Sequence, residues 1–222
     1  MSKAPGAPRR ADALSKARIV EAAIEILDEA GDGALTFRAL ASRLATGAGA
    51  IYWHVADKTA LLTAAASDVV DHTLAGGGDA ASPRAAIQAV GLRLFDLIDA
   101  RPWVGAHLAR EPLQPAGLAI LEALGRPLEA LGAPSRARFE VVTALATYIL
   151  GAAAQNAANA RQGPPGRVRE DELAKVATAW AGLDPKRYPF LRGIVDQMAQ
   201  HDDREQFRAG LNLILRGVET LA

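Results

Sequence analysis

Wherever the apolar residues of this chain recur with a period, the spacing is three and four, and no segment alternates as a strand would. An all-α fold is therefore expected. The first helix is predicted over Ser15 to Ala30, where Ile19, Ala22, Ala23, Ile26, Leu27 and Ala30 share one face, and Gly31 and Gly33 end it. A helix from Lys58 to about Leu74, capped by Asp57, turns Leu61, Leu62, Ala65 and Val69 inward and links two domains. Gly76, Gly77 and Gly78 then break the chain before Pro83 starts another helix. Further helices are predicted over 84–99, 103–109, 115–131, 135–161, 170–180, 186–200 and 202–221. They are separated at Arg101-Pro102, Glu111-Pro112, Gly132-Ala133-Pro134, Gln162–Gly166 and Leu183-Asp184-Pro185, where proline disfavours continued helix. The expected division is an N-terminal three-helix unit over residues 1–58 and a larger helical bundle over 59–222.

The stretch Leu35 to Lys58 carries the functional reading. Thr36 is a good N-cap, and Leu40, Ala41 and Leu44 give Phe37–Leu44 an apolar stripe. Thr46, Gly47 and Gly49 interrupt it, and Ala48 to His54 begins a second helix whose Ile51 faces the first. Alanines 41, 45, 48 and 50 allow a close crossing, the requirement of a helix-turn-helix. In that motif the second helix enters the major groove. Tyr52 and His54 can donate to phosphate oxygens, Lys58 and Arg38 add charge, and Thr36 offers a hydroxyl at a helix start. Base reading falls to Thr46, Gly47, Ala48, Gly49 and Ala50, with Arg38 reaching in, so thymine methyls, backbone donors and DNA shape are expected to matter more than side-chain hydrogen bonds. The expected partner is double-stranded operator DNA.

The run from Ile19 to Leu62, with its Ile51-Tyr52-Trp53-His54-Val55 block and Lys58 three residues on, resembles the DNA-binding domain of the tetracycline-repressor (TetR) family. The resemblance implies phosphate contacts from Tyr52, His54 and Lys58, packing within the domain for Trp53, and a transcriptional regulator, usually a repressor, released by a small molecule. The chain departs from the family pattern at two positions. Ala45 stands where glycine is usual and Thr46 where an aliphatic residue is usual. Alanine tolerates a left-handed backbone poorly, so the turn is expected to distort or to shift toward Gly47.

The bundle is expected to hold an apolar cavity for an unidentified inducer, with Phe95, Trp103, His107, Leu121, Leu124, Phe139, Tyr148 and Asn156 as candidate ligand contacts. The segment Arg101 to Pro112 is similar to the matching helix of the family members nearest the tetracycline repressor, and His107 falls where that repressor has a histidine near its drug and metal. Leu74, Ala89 and Thr147 stand where it has polar drug contacts, so the resemblance does not extend to a tetracycline–metal complex. No metal or other cofactor is expected. The resemblance also implies ligand-driven movement of the helix after Lys58, changing the separation of two recognition helices. The helix containing Val141–Ala154 is apolar nearly all round, and the last helix carries Phe207, Leu211, Ile214, Leu215, Val218 and Leu221, a wide stripe. A four-helix interface from two chains would cover both, giving a homodimer suited to paired half-sites.

Composition narrows the range of functions. Of 222 residues 50% are hydrophobic, enough for a sizeable core. With no cysteine, neither a disulfide framework nor a thiolate metal site is possible, and a reducing cytoplasm is the expected compartment. The N-terminus lacks the apolar segment of a signal peptide, and the run Val141–Ala154 is too short to span a bilayer, so no membrane partner is expected. Net charge is zero overall, yet residues 1–18 carry Lys3, Arg9, Arg10, Lys16 and Arg18 against Asp12 alone. This basic arm is read either as tracking DNA or as a solvated tail. An enzyme is the rival reading, but the acid and histidine cluster at His201, Asp202, Asp203 and Glu205 sits at a helix start, where carboxylates cap amides. Two further rivals are a constitutive regulator without inducer and a helical adaptor that binds protein alone.

Overall fold

A computed structural model describes residues 14–76, 80–161 and 169–221, and among them all regular structure is helical. Local chemistry accounts for most boundaries. Helix α1 (Lys16–Ala30) starts where the Ser15 hydroxyl accepts from the Arg18 amide at 3.3 Å, and ends at Gly31, whose φ of 71° only glycine adopts freely. Thr36 caps α2 (Phe37–Arg43) by accepting from Ala39 N at 3.1 Å, and α3 (Ala48–Tyr52) follows the turn. Asp57 caps α4 (Lys58–Ala75), and Ser82, with Pro83 at the first helical position, starts α5 (Pro83–Ala100). Then come α6 (Pro102–Arg110), α7 (Pro115–Ala130), α8 (Arg138–Arg161), α9 (Arg169–Ala181), α10 (Pro189–Gly193), α11 (Val195–Ala199) and α12 (Asp203–Glu219). Asp202 caps α12, accepting from Glu205 N at 2.6 Å, as the capping reading of the acidic cluster requires.

The N-terminal unit packs α1, α2, α3 and the start of α4 around Ile19, Ala23, Leu35, Leu40, Ile51 and Leu61, all essentially inaccessible to solvent. Arg43 bridges Glu25 and Glu29, fastening α2 to α1; that pairing, chiefly the hydrogen bond from Arg43, holds the Glu29 carboxyl below its ordinary pKa. In the bundle α5 lies centrally against α7 and α8, α12 covers α5 and α8, and α4 lies against α7 and α1, so one helix belongs to both units. Helices α9, α10 and α11 pack chiefly on one another.

Three expectations change. Residues 186–200 do not form one helix: Pro189 starts a new short helix, and the chain leaves helical geometry at Ile194 (φ −117°, ψ 15°) just after Gly193. Helix α3 ends at Tyr52 rather than His54, closing in a turn where the Val55 amide donates to Ile51 O at 3.1 Å. The segment Ser135–Arg161 is, by length and composition, long and apolar enough to cross a membrane, which the uninterrupted run Val141–Ala154 alone is not. Its inner face (Val141, Leu145, Ile149, Ala153, Ala157) is instead buried in the bundle, although only 28% of its most apolar stretch is covered. The basic residues of the arm up to Arg10, Gly77 and Gly78 of the break before Pro83, and the Gln162–Gly166 break lie outside the described residues.

Candidate DNA-binding surface and effector cavity

Thr36, Arg38, Gly47, Gly49, Tyr52, Trp53 and His54 are exposed around the α2–α3 turn, with Thr46, Ala48, Ala50 and Lys58 half-buried among them. Phe37 and Tyr52 stack in parallel, ring centroids 4.2 Å apart, so the Tyr52 ring is braced by α2 while the residue stays 56% exposed. A braced ring aims its hydroxyl at little entropic cost. Lys58 is less free than the sequence suggests. Its Nζ donates to the Asp32 carbonyl at 2.7 Å and sits 2.8 Å from Asp32 Oδ1.

Two expectations about this unit are corrected. Trp53 does not pack within the domain: as the residue that caps the C-terminal end of α3 it is 90% exposed. The turn does not shift to Gly47, which has an ordinary φ of −84°. Ala45 itself takes the left-handed conformation at φ 48°, and this lets the Thr46 amide donate to Ala41 O at 2.9 Å.

The two units are joined by polar contacts at α1. Asp28 accepts from Arg101 Nε at 2.9 Å and from the Trp103 indole at 2.8 Å. Just beyond the helix, Asp32 meets Lys58 and, at 3.3 Å, Arg110. Both ends of α6 are thus anchored to the DNA-binding unit. The hydrogen bond from Lys58, with that from Arg110, holds the Asp32 carboxyl below its ordinary pKa.

A cavity of about 1020 Å³ lies between α5, α8 and α12 on one side and α9 and α11 on the other. Of the eight candidate ligand contacts it gathers Phe95, Tyr148 and Asn156. The other five lie elsewhere. Trp103 is buried against α1 through Asp28; His107 is buried, its Nε2 2.6 Å from Gln114 Oε1; Leu124 is core, and Leu121 is packed against the core. Phe139 is 75% exposed at the start of α8. The wall that sequence reasoning missed comes from α9 and α11: Leu173, Val176, Trp180, Ile194, Gln197 and Met198. An aromatic trio forms the opposite side, with Phe95–Phe207 centroids at 4.7 Å and Tyr148–Phe207 at 5.6 Å. The Tyr148 hydroxyl donates to Phe207 O at 2.9 Å, passing over Gly210, where a Cβ would collide with the phenol. Burial pushes the Tyr148 pKa up, so the phenol stays protonated at neutral pH. From the cavity wall, Asn156 Nδ2 donates to Asp99 Oδ1 at 2.9 Å, two residues before Arg101. Among the described residues no cluster of His, Asp and Glu has the arrangement of a metal site.

Residues 19–65 match the family description "Bacterial regulatory proteins, tetR family", and residues 83–222 match "Tetracyclin repressor-like, C-terminal domain". The chain is 26% identical over 210 residues to the tetracycline repressor protein class D of Escherichia coli, covering 93% of this chain and 89% of that protein. Among solved structures, the transcriptional regulator SCO7222, a TetR from Streptomyces coelicolor, superposes with a TM-score of 0.85 at 48% identity, covering 94% of this chain and 99% of that one. ActR of Streptomyces coelicolor, solved in complex with actinorhodin, shares the fold with a TM-score of 0.77 at 22% identity over 94% of this chain and 98% of that one. A capped helix-turn-helix ahead of a cavity-bearing helical bundle, matched by both family descriptions, makes this chain a member of the tetR family of bacterial regulatory proteins, a DNA-binding transcriptional regulator.

Proposed function

We propose that this protein is a homodimeric repressor that works in the cytoplasm and leaves its operator when a small molecule occupies the cavity between α5, α8, α9, α11 and α12. The functional boundary lies after Lys58, with α4 serving as the lever between units. Tyr52, His54 and the half-buried Lys58 hold phosphates, together with Arg38 and Thr36, while Thr46 to Ala50 face the groove. Exposed Trp53 adds an aromatic face beside them. Paired half-sites require the two α3 helices to stand about 34 Å apart, and a ligand that prefers another spacing lowers operator affinity by its differential affinity for the two states.

The observation that supports ligand control is a pair of polar contacts joined by two residues of backbone at the end of α5: Asn156 on the cavity wall donates to Asp99, and Arg101 and Trp103 just beyond donate to Asp28 on α1. Any ligand that shifts the α8 wall pulls on the C-terminus of α5 and hence on the anchored start of α6. The test is a gel shift or fluorescence anisotropy titration with the promoter beside the protein's own gene. Wild type is expected to bind with strongly salt-dependent affinity, and alanine at both Tyr52 and His54 to weaken it roughly a hundredfold. Intact binding by that variant overturns the DNA assignment. Operator release unaffected by any molecule that binds the cavity leaves a constitutive regulator.

A further inference from the structure

We infer that the cavity takes an uncharged aromatic molecule bearing several hydroxyl or carbonyl groups, and that it discriminates against anions. This rests on the cavity being the effector site, and it follows from three properties of the wall.

The first is the aromatic content. Phe95, Phe207 and Tyr148 make a contiguous ring surface on the bundle side, and Trp180 stands on α9 across the cavity. Aromatic faces on both sides favour a flat, unsaturated ligand, since ring pairs gain beyond the area they bury.

The second is charge. Among the described residues lining the cavity there is no lysine or arginine. The carboxylates there are Glu172 and Asp203, already engaged at 2.8 Å by Lys175 and at 3.0 Å by His201. A carboxylate, sulfate or phosphate on the ligand would lose its water beside two acids and find no guanidinium or ammonium to receive it. A ligand cation would have to compete for carboxylates that hold partners within the chain.

The third is the polar inventory. Gln155, Asn156, Asn159, Gln197 and Gln206 place five primary amides around the cavity, each with donors and an acceptor. A plain hydrocarbon would strip water from these amides and return nothing. Hydroxyl and carbonyl groups on the ligand match both halves of an amide without charge.

The experiment uses isothermal calorimetry on the full chain with three probes sharing one skeleton: anthraquinone, a dihydroxyanthraquinone, and the monocarboxylate of that dihydroxyanthraquinone. The dihydroxy probe is expected to bind roughly tenfold or more tightly than either of the others, the loss for one unmatched buried polar pairing. Gln155→Leu with Gln197→Leu should lower its affinity roughly tenfold while anthraquinone, which has no hydroxyl to lose a partner, binds at least as tightly as before. Gln197→Arg, at an exposed helical position that tolerates charge, should make the carboxylate the preferred probe. Equal or tighter binding of the carboxylate to wild type, or a Gln197→Arg variant with unaltered preference, overturns the inference. A different pattern sinks the cavity reading itself: none of the probes binds, or all bind Ala152→Trp, which puts an indole into the cavity from its α8 wall, as well as they bind wild type.

Discussion

Ala45 holds its turn against its own preference. At φ 48° its Cβ crowds the backbone, and among the described residues it is the non-glycine residue with a positive φ. An L-residue there costs about 1–2 kcal/mol, partly offset because alanine constrains the unfolded chain more than glycine does. Ala45→Gly is therefore predicted to stabilise the protein by roughly 0.5–1 kcal/mol in urea denaturation, with operator affinity unchanged, since the turn keeps its path. Asp32 gives a prediction in pH. Its folded pKa lies below the ordinary aspartate value of about 3.9, through Lys58 first and Arg110 second, so its contribution is complete above that value and lost as pH falls through the folded one. Asp32→Asn should be less stable than wild type at neutral pH, and the two stability curves should converge below about pH 4, as read by thermal unfolding across an acid titration. Parallel curves would remove the ion pairs from the account. At this scale the N-caps at Thr36, Asp57 and Asp202 were legible because capping is decided within three residues. The exposure of Trp53 was not, since it depends on where α3 stops and what lies beyond it.

Helix α6 is short, yet it touches α4, α5 and α8 and is anchored to the DNA-binding unit at both ends, to Asp28 on α1 and to Asp32 just beyond it. Exposed ion pairs such as Arg101–Asp28 contribute only about 0.2–1 kcal/mol each, so their role is better sought in coupling than in stability. Asp28→Asn retains an acceptor for the Trp103 indole and removes the charge that holds Arg101. It should leave operator affinity within a few-fold while shrinking the ligand-induced loss of affinity roughly tenfold, a coupling of ordinary allosteric size. With the ligand at saturating concentration, so that the cavity contact of Asn156 itself drops out, Asn156→Ala should do the same from the other end, and the double variant should do no more than either alone. Additive effects in anisotropy titrations would show two independent routes and refute the relay. None of these pairings could be read from sequence: Asp28 and Trp103 are 75 residues apart and belong to helices whose periodicity reports only their own buried faces. The cavity shows the same limit. Phe95, Tyr148 and Asn156 lie on helices with clear patterns, whereas α9 and α11 contribute a wall through Trp180 and Gln197 that their own sequences do not announce. The break at Ile194 was missed because Pro189 and Gly193 act together within five residues.

The whole chain carries no net charge, so long-range attraction to DNA is weak and a single helix-turn-helix has little to hold with. Two copies held rigidly gain from effective concentration, and the bundle carries a surface suited to holding them. On α8 and α12, which pack together, Phe139 and Leu213 are 75% and 67% exposed, and Leu221 just beyond α12 is 45% exposed. An open groove of about 420 Å³ lies between the same helices, lined mostly by apolar residues such as Val141, Ala144, Ile214 and Val218, together with Arg136 and Glu140. Large apolar side chains exposed this way are costly in water, which supports this face as the contact of the proposed homodimer. Leu213→Glu combined with Phe139→Glu would bury charge at that contact and is predicted to give a monomer in sedimentation velocity at micromolar concentration. Operator affinity should then fall by roughly 10²–10⁴, the range lost when two linked binding events become separate. The control is Phe190→Glu on α10, 73% exposed but on a different helix pair; it adds negative charge and should change neither mass nor affinity. A monomer that still binds operator fully would show that one helix-turn-helix suffices, and an intact dimer would move the interface to another face of the bundle.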